Sequence, residues 1–152
     1  MTRNEFFEFF KENHIVDSYS QVCQKFNDFD NKKHPKKEGV MELLKKRDIE
    51  LKYSHPDRLF YEEIKNNEIK FQLNLYTKDG IISTSYLVWN QGVKTPIYRN
   101  GVRFICEELN PESIENLKYP YPFSTSNDDL IEILDFYLAL YKKFKEKFIK
   151  KD

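Results

Sequence analysis

The spacing of hydrophobic positions changes period along this chain. In "MTRNEFFEFFKEN" Phe6, Phe9 and Phe10 fall on one helical face, with Phe7 beside it, behind a Thr2-to-Glu5 capping box. A second helix follows: Ser18 is its expected cap, and Tyr19, Val22, Cys23, Phe26 and Phe29 keep the three-and-four spacing of a buried stripe. The two should form an αα-hairpin. Pro35 and Gly39 then punctuate "DFDNKKHPKKEG", and Val40, Leu43 and Leu44 predict a further short helix ending before Arg47.

From Ile49 the period drops to two. Ile49, Leu51 and Tyr53 alternate with Glu50 and Lys52, and "SHPDR" reads as a turn. Residues 60–65 and 69–76 flank Asn66-Asn67 as a hairpin, with Ile69, Phe71, Leu73 and Leu75 on one face and Lys70, Gln72 and Asn74 facing water. Asp79-Gly80 marks the next turn, "IISTSYLVWN" the next strand, and Asn100-Gly101 a hairpin tip before a final strand "VRFICEEL". Three prolines make "NPESIENLKYPYPFSTSN" a loop with one helical turn near residues 112–117.

The closing segment, residues 126–148, is an amphipathic helix capped by Thr125 or Ser126. Asp128 and Asp129 sit at its positive end and lysines crowd its other end. Leu130, Leu134, Tyr137, Tyr141, Phe144 and Phe148 repeat like heptads over too short a run for a coiled coil. Extra apolar residues at Ile131, Ile133, Phe136, Leu138 and Leu140 place its first half in a core. The expected fold is therefore α+β: N-terminal helices, an antiparallel β-meander of four to six strands, and a long C-terminal helix packed on the sheet. All of it belongs to one domain spanning residues 1–152.

Composition narrows the function. Aromatic residues make up 16% of the chain, enough to build a core from few positions. No apolar run approaches the roughly 18 residues of a membrane span, and the first residues lack a signal-peptide core. Cys23 and Cys106 stand far apart, as buried thiols of a reducing compartment would, so the expected location is cytoplasmic.

Chemistry-bearing motifs are sparse. His14, His34 and His55 occur singly, without metal-ligand spacing, and four glycines leave no phosphate-binding loop or nucleophile elbow. No cofactor or metal is expected. His55, Asp57 and Arg58, with Glu62 nearby, could assemble an acid-base site, although a charged Pro-Asp turn is the commoner meaning of "HPDR". The adjacent pairs Glu62-Glu63 and Glu107-Glu108, taken as strand residues, would point to opposite faces and form no dyad. Lys32, Lys33, Lys36 and Lys37, with the C-terminal lysines, are the best nucleic-acid candidates, but a formal net charge of +0 argues against that partner. A small enzyme or a nucleic-acid-associated protein remains the alternative, as does a module whose last helix pairs with its own copy.

Charge by segment is more informative than the total. Residues 104–135 hold eight acids, Glu107, Glu108, Glu112, Glu115, Asp128, Asp129, Glu132 and Asp135, against Lys118 alone. A loop-rich acidic surface suits a basic protein partner, because complementary potentials speed encounter and exclude wrong partners. Trp89, in "VWNQG" near a strand end, either fills the core or anchors such a partner.

With "EELNPESIENL" and "STSNDDLIEILDFYLALYKKF", this organisation resembles the small immunity proteins of bacterial polymorphic or contact-dependent toxin systems. Abundant Lys, Asn, Ile and Phe point likewise to an AT-rich bacterial or phage gene. The resemblance implies an inhibitor, not an enzyme, that covers the active site of a cognate toxin. Glu107, Glu108, Glu112, Glu115, Asp128, Asp129 and Trp89 are the expected contact residues.

Overall fold

Strict alternation in "IKFQLNLY" makes a strand with one apolar and one polar face, and in the computed structural model this strand is the middle of an antiparallel sheet. The structure describes residues 1–149. Three helices come first: α1 (Arg3–Glu12), α2 (Ile15–Lys25) and α3 (Lys37–Lys46). Then β1 (Lys52–Ser54), β2 (Leu59–Lys65), β3 (Ile69–Tyr76), β4 (Ser83–Asn90) and β5 (Tyr98–Gly101) pair in sequence order, each antiparallel to the next. Helices α4 (Val102–Leu109), α5 (Pro111–Glu115) and α6 (Asn127–Phe148) complete the chain. This is the expected α+β class, with five strands.

The capping box of α1 forms as the sequence implies: the Thr2 side chain accepts from the Glu5 amide, and the Glu5 carboxylate accepts from the Thr2 amide. Helix α2 starts three residues before Ser18, at Ile15. His14 supplies the break by adopting a left-handed conformation at φ 54°, and Ile15 extends the buried stripe of Tyr19, Cys23 and Phe26 by one turn. Phe29 lies beyond the helix and is exposed.

The largest departure from expectation is "VRFICEEL", which is helix α4 rather than a strand. Val102, Ile105 and Cys106 are its buried residues, the three-and-four spacing of a helix, while Phe104, which a strand would place beside Val102, is exposed. Asn100-Gly101 is correspondingly no hairpin tip. Gly101 has φ −81° and serves as the helix N-cap. The connection from β4 to β5 instead uses residues 91–97, where Gly92 takes φ +77°.

Helices α1 and α6 share one face of the sheet, and aromatic rings join the layers. Phe144 of α6 lies 4.9 Å from Phe71 of β3 and 5.1 Å from Tyr86 of β4, between ring centroids. Phe10 of α1 lies 5.2 Å from Tyr86, and Phe6 stacks on Tyr98 of β5 at 4.6 Å. The heptad-like series on α6 is therefore core: Leu130, Leu134, Tyr137, Tyr141 and Phe144 are buried, and Phe148 packs partly against Phe9.

The proline-rich segment is pinned from both sides. Phe123 donates its amide to the Phe26 carbonyl, Ser124 donates to Gly80, and Lys33 donates to Ser124, each at 2.8 Å. Gly80 is required here, because its φ is +78° and an added Cβ would lie 2.7 Å from the Lys33 carbonyl oxygen.

Replacing Phe144 by Ala should lower unfolding free energy by about 3–5 kcal/mol, while Phe148→Ala costs clearly less because its site is only partly enclosed. Equilibrium denaturation of both variants checks this; equal losses would contradict the packing. Burial also pushes the Cys23 and Cys106 thiols up to about 12 from 9.0. Between those values the unfolded chain has lost protons that the folded chain retains, so stability should fall as pH rises above about 9. A urea midpoint that drops between about pH 8.5 and about pH 11, with both thiols slow to react with a disulfide reagent until unfolding, is the expected result.

Candidate functional site

Strand alternation sends Thr84, Tyr86 and Val88 of β4 toward the helices and Ser83, Ser85, Leu87 and Trp89 to the opposite face. The paired strands contribute Tyr61 and Lys65 from β2, Lys70, Gln72 and Tyr76 from β3, and Arg99 from β5. None of these joins the main core. Asn74, which alternation assigns to water on this side, is only 6% exposed. Tyr61 and Ser85 lie directly opposite it on the two neighbouring strands, and its amide oxygen accepts from Gln72 at 2.8 Å.

Trp89 sits on this outer face, half-buried, rather than in the core. Its ring is flanked by two cations: the Lys70 ammonium lies 5.2 Å from the centroid and the Arg99 guanidinium 5.5 Å. Both cations are placed by pairing, since Lys70 is the cross-strand partner of Trp89 and Arg99 that of Leu87.

Where β5 runs into α4, the surface folds inward. A cleft of about 310 Å³ lies between the sheet and the first turn of α4, lined in part by Tyr76, Ser85, Arg99, Arg103, Phe104 and Tyr121. A second concavity of about 460 Å³ shares Arg99 and Phe104 and extends to Ile97, Glu107 and Glu108. Phe104, 36% exposed, therefore borders both. The Arg103 guanidinium lies over the Phe104 ring at 4.9 Å and over the Tyr121 ring at 5.4 Å. Its Nη1 also donates to the Tyr121 hydroxyl at 3.5 Å.

The acidic residues singled out in the sequence divide into two groups. Glu108 grips Arg3 through both carboxylate oxygens at 2.7 and 2.8 Å, Glu132 pairs with Lys25 at 2.7 Å, and Asp135 pairs with Arg47. Asp129 accepts from the Thr125 amide and hydroxyl at the start of α6, whose N-cap is Ser126. Among the described residues, Glu107, Glu112, Glu115 and Asp128 form no ion pair. Glu107 lies on α4, Glu112 and Glu115 on the next helix α5, and Asp128 apart from them at the head of α6. Because α4 is a helix, Glu107 and Glu108 diverge by about 100°, not by the half-turn of a strand.

Arg99, Arg103, Phe104 and Tyr121 are the site residues that sequence reasoning missed. Reading 102–109 as a strand hid Arg103 and Phe104; the Val102, Ile105, Cys106, Leu109 spacing held the signal, since it leaves both off the buried stripe.

The other candidates are placed as follows. His55, Asp57 and Arg58 occupy the exposed β1–β2 turn, where Ser54 donates to Asp57 at 3.0 Å. Glu62 does not join them: it turns to the helical side and accepts from the Tyr141 hydroxyl and from Lys145. His34 accepts the Asp79 amide on Nδ1 at 3.1 Å, while Lys32 and Lys37 lie over Phe29 and Tyr53. Lys150 and Lys151 lie outside the described residues. Among the described residues no group of three His, Cys, Asp or Glu could hold a metal, and no helix is long and apolar enough to cross a membrane.

No family model, curated protein or solved structure matches the chain.

Proposed function

We propose that this chain is a protein-binding inhibitor that docks through the outer face of the sheet and the adjoining α4–α5 edge. The observation that carries the reading is the concentration there of Trp89, Arg99, Arg103, Phe104 and Tyr121 outside the main core. Tryptophan, tyrosine and arginine dominate binding hot spots because each combines a large apolar area with a polar group that fixes orientation. Glu107 borders that surface and Glu112 and Glu115 follow on α5, carboxylates that no cation pairs among the described residues. A partner with a basic surface would meet them.

The finer reading is an immunity protein acting in the cytoplasm, which neutralises a cognate bacterial toxin by covering its active site. Its support is the organisation of the chain: helices on one side of a small sheet, an acidic edge built from α4 and α5, and both cysteines free. Trp89 and Phe104 would supply the apolar contact, and Glu107, Glu112 and Glu115 would orient the encounter.

Affinity purification of the tagged chain from cells that carry its gene should yield one stoichiometric protein. That protein should arrest growth when expressed alone and be neutralised by co-expression of this chain. Trp89→Ala should weaken the complex by at least about 30-fold, the loss of a hot spot near 2 kcal/mol. Changing Glu107, Glu112 and Glu115 together to Lys should slow association most at low salt. Glu108 is left intact because it holds Arg3. A stoichiometric partner without toxicity would remove the immunity reading alone; a complex indifferent to both variants would remove this docking surface.

A further inference from the structure

The cleft between the sheet and the start of α4 holds more hydrogen-bond donors than the fold uses. We infer that it binds a small organic phosphate, a phosphate monoester carried on a flat aromatic body. Arg99 and Arg103 both line it, and neither forms an ion pair among the described residues, whereas Arg3 and Arg47 do. Glu107, one turn beyond Arg103 on α4, stays more than 4.0 Å from its guanidinium nitrogens. The Nε of Arg103 is buried without a hydrogen-bond partner.

A second polar group in the cleft is equally unsatisfied. Thr84 turns to the helical side of β4, where Tyr137 of α6 also borders the cleft; Thr84 is 2% exposed, and its Oγ1 has no partner. A buried polar atom left unpaired costs stability, so two in one cleft point to a ligand that completes them. The backbone adds to this. Gly101, the N-cap of α4, has no side chain to cap the helix, and the first turn contains no acid. Gly101, Val102 and Arg103 all line the cleft, so the positive end of the α4 dipole lies at its wall with no acid in that turn to neutralise it.

Two guanidinium forks with a helix N-terminus exceed what one carboxylate can accept and suit the three terminal oxygens of a phosphate monoester. Tyr76, Phe104 and Tyr121 give the rest of the wall an aromatic character that packs against a planar ring. The volume, about 310 Å³, is at the small end of ligand pockets and restricts the body to a single ring system with a short linker. This site does not depend on the protein-docking reading.

Adenosine monophosphate is the probe, with adenosine and inorganic phosphate as its two halves, titrated into the full chain by calorimetry and by amide chemical shifts. Adenosine monophosphate should bind saturably, inorganic phosphate should displace it, and adenosine should bind at least about tenfold more weakly. Arg99→Ala and Arg103→Gln should each weaken binding about tenfold or more, with shifts centred on residues 99–104 in the parent chain. Thr84→Val should weaken binding while leaving the melting temperature unchanged or higher, since it removes an unsatisfied hydroxyl; this separates ligand contact from folding. Absence of binding at about 10 mM probe, equal binding of adenosine, or full affinity in both folded arginine variants would overturn the site.

Discussion

The packing of Phe144 against Tyr86 and Phe71 is the constraint on which the architecture rests. One ring from α6 meets two central strands, and Phe10 of α1 reaches the same Tyr86. Two helices far apart in sequence are thus fixed on one side of the sheet by a shared ring cluster. Aromatic rings suit this role because each buries a large area for few rotatable bonds, and the offset and edge contacts seen here add direction to the burial. Because both helices are drawn to the same face, the outer face has no comparable apolar layer among the described residues, and its chemistry is set by the sheet together with the start of α4 and Tyr121.

Tyrosine hydroxyls extend this constraint into the loops. Tyr19 donates to the Pro120 carbonyl at 2.5 Å, and Tyr137 donates to the Ile82 carbonyl at 3.0 Å. Tyr141 donates to Glu62, which β2 turns to the helical side. Each ring is in the core while its oxygen holds backbone or a carboxylate at the core boundary, so the proline-rich segment and the edge of β2 take their positions from the same residues that stabilise the interior. Tyr86 differs, since its hydroxyl is buried without a partner. Burial raises its pKa, and it joins the two thiols in making the folded state sensitive to alkali.

The capping box at Thr2, the β2–β3 hairpin and the long terminal helix are legible in the sequence because periodicity and local hydrogen bonding agree there. The start of α2 is obscured by His14, whose left-handed backbone has no strong residue signal. Residues 102–109 carry apolar side chains at strand spacing (Val102, Phe104, Cys106) and at helix spacing (Val102, Ile105, Cys106, Leu109), and the joint burial of Ile105 with Val102 and Cys106, with Phe104 exposed, separates the two. That ambiguity carries directly into the site. With α4 read as a strand, Arg103 and Phe104 cannot be placed beside Arg99.

Charge is legible as a sum but not as a surface. Residues 104–135 are strongly acidic in sequence, yet Arg3, Lys25 and Arg47, all from the helical first third of the chain, cross to meet Glu108, Glu132 and Asp135. Such exposed pairs contribute little to stability, about 0–1 kcal/mol each, but they determine which carboxylates remain available to another molecule. The arginines on the outer face are subject to the opposite selection. Arg99 and Arg103 lie against Trp89, Phe104 and Tyr121 and form no ion pair among the described residues, so their charge is oriented by ring contacts, with Glu107 acting on Arg103 only from a distance. Aromatic residues thus act differently on the two sides of β4: turned inward they exclude water and bind helices together, and turned outward they hold cations in position for an anion or a partner. A one-residue step along the strand decides which.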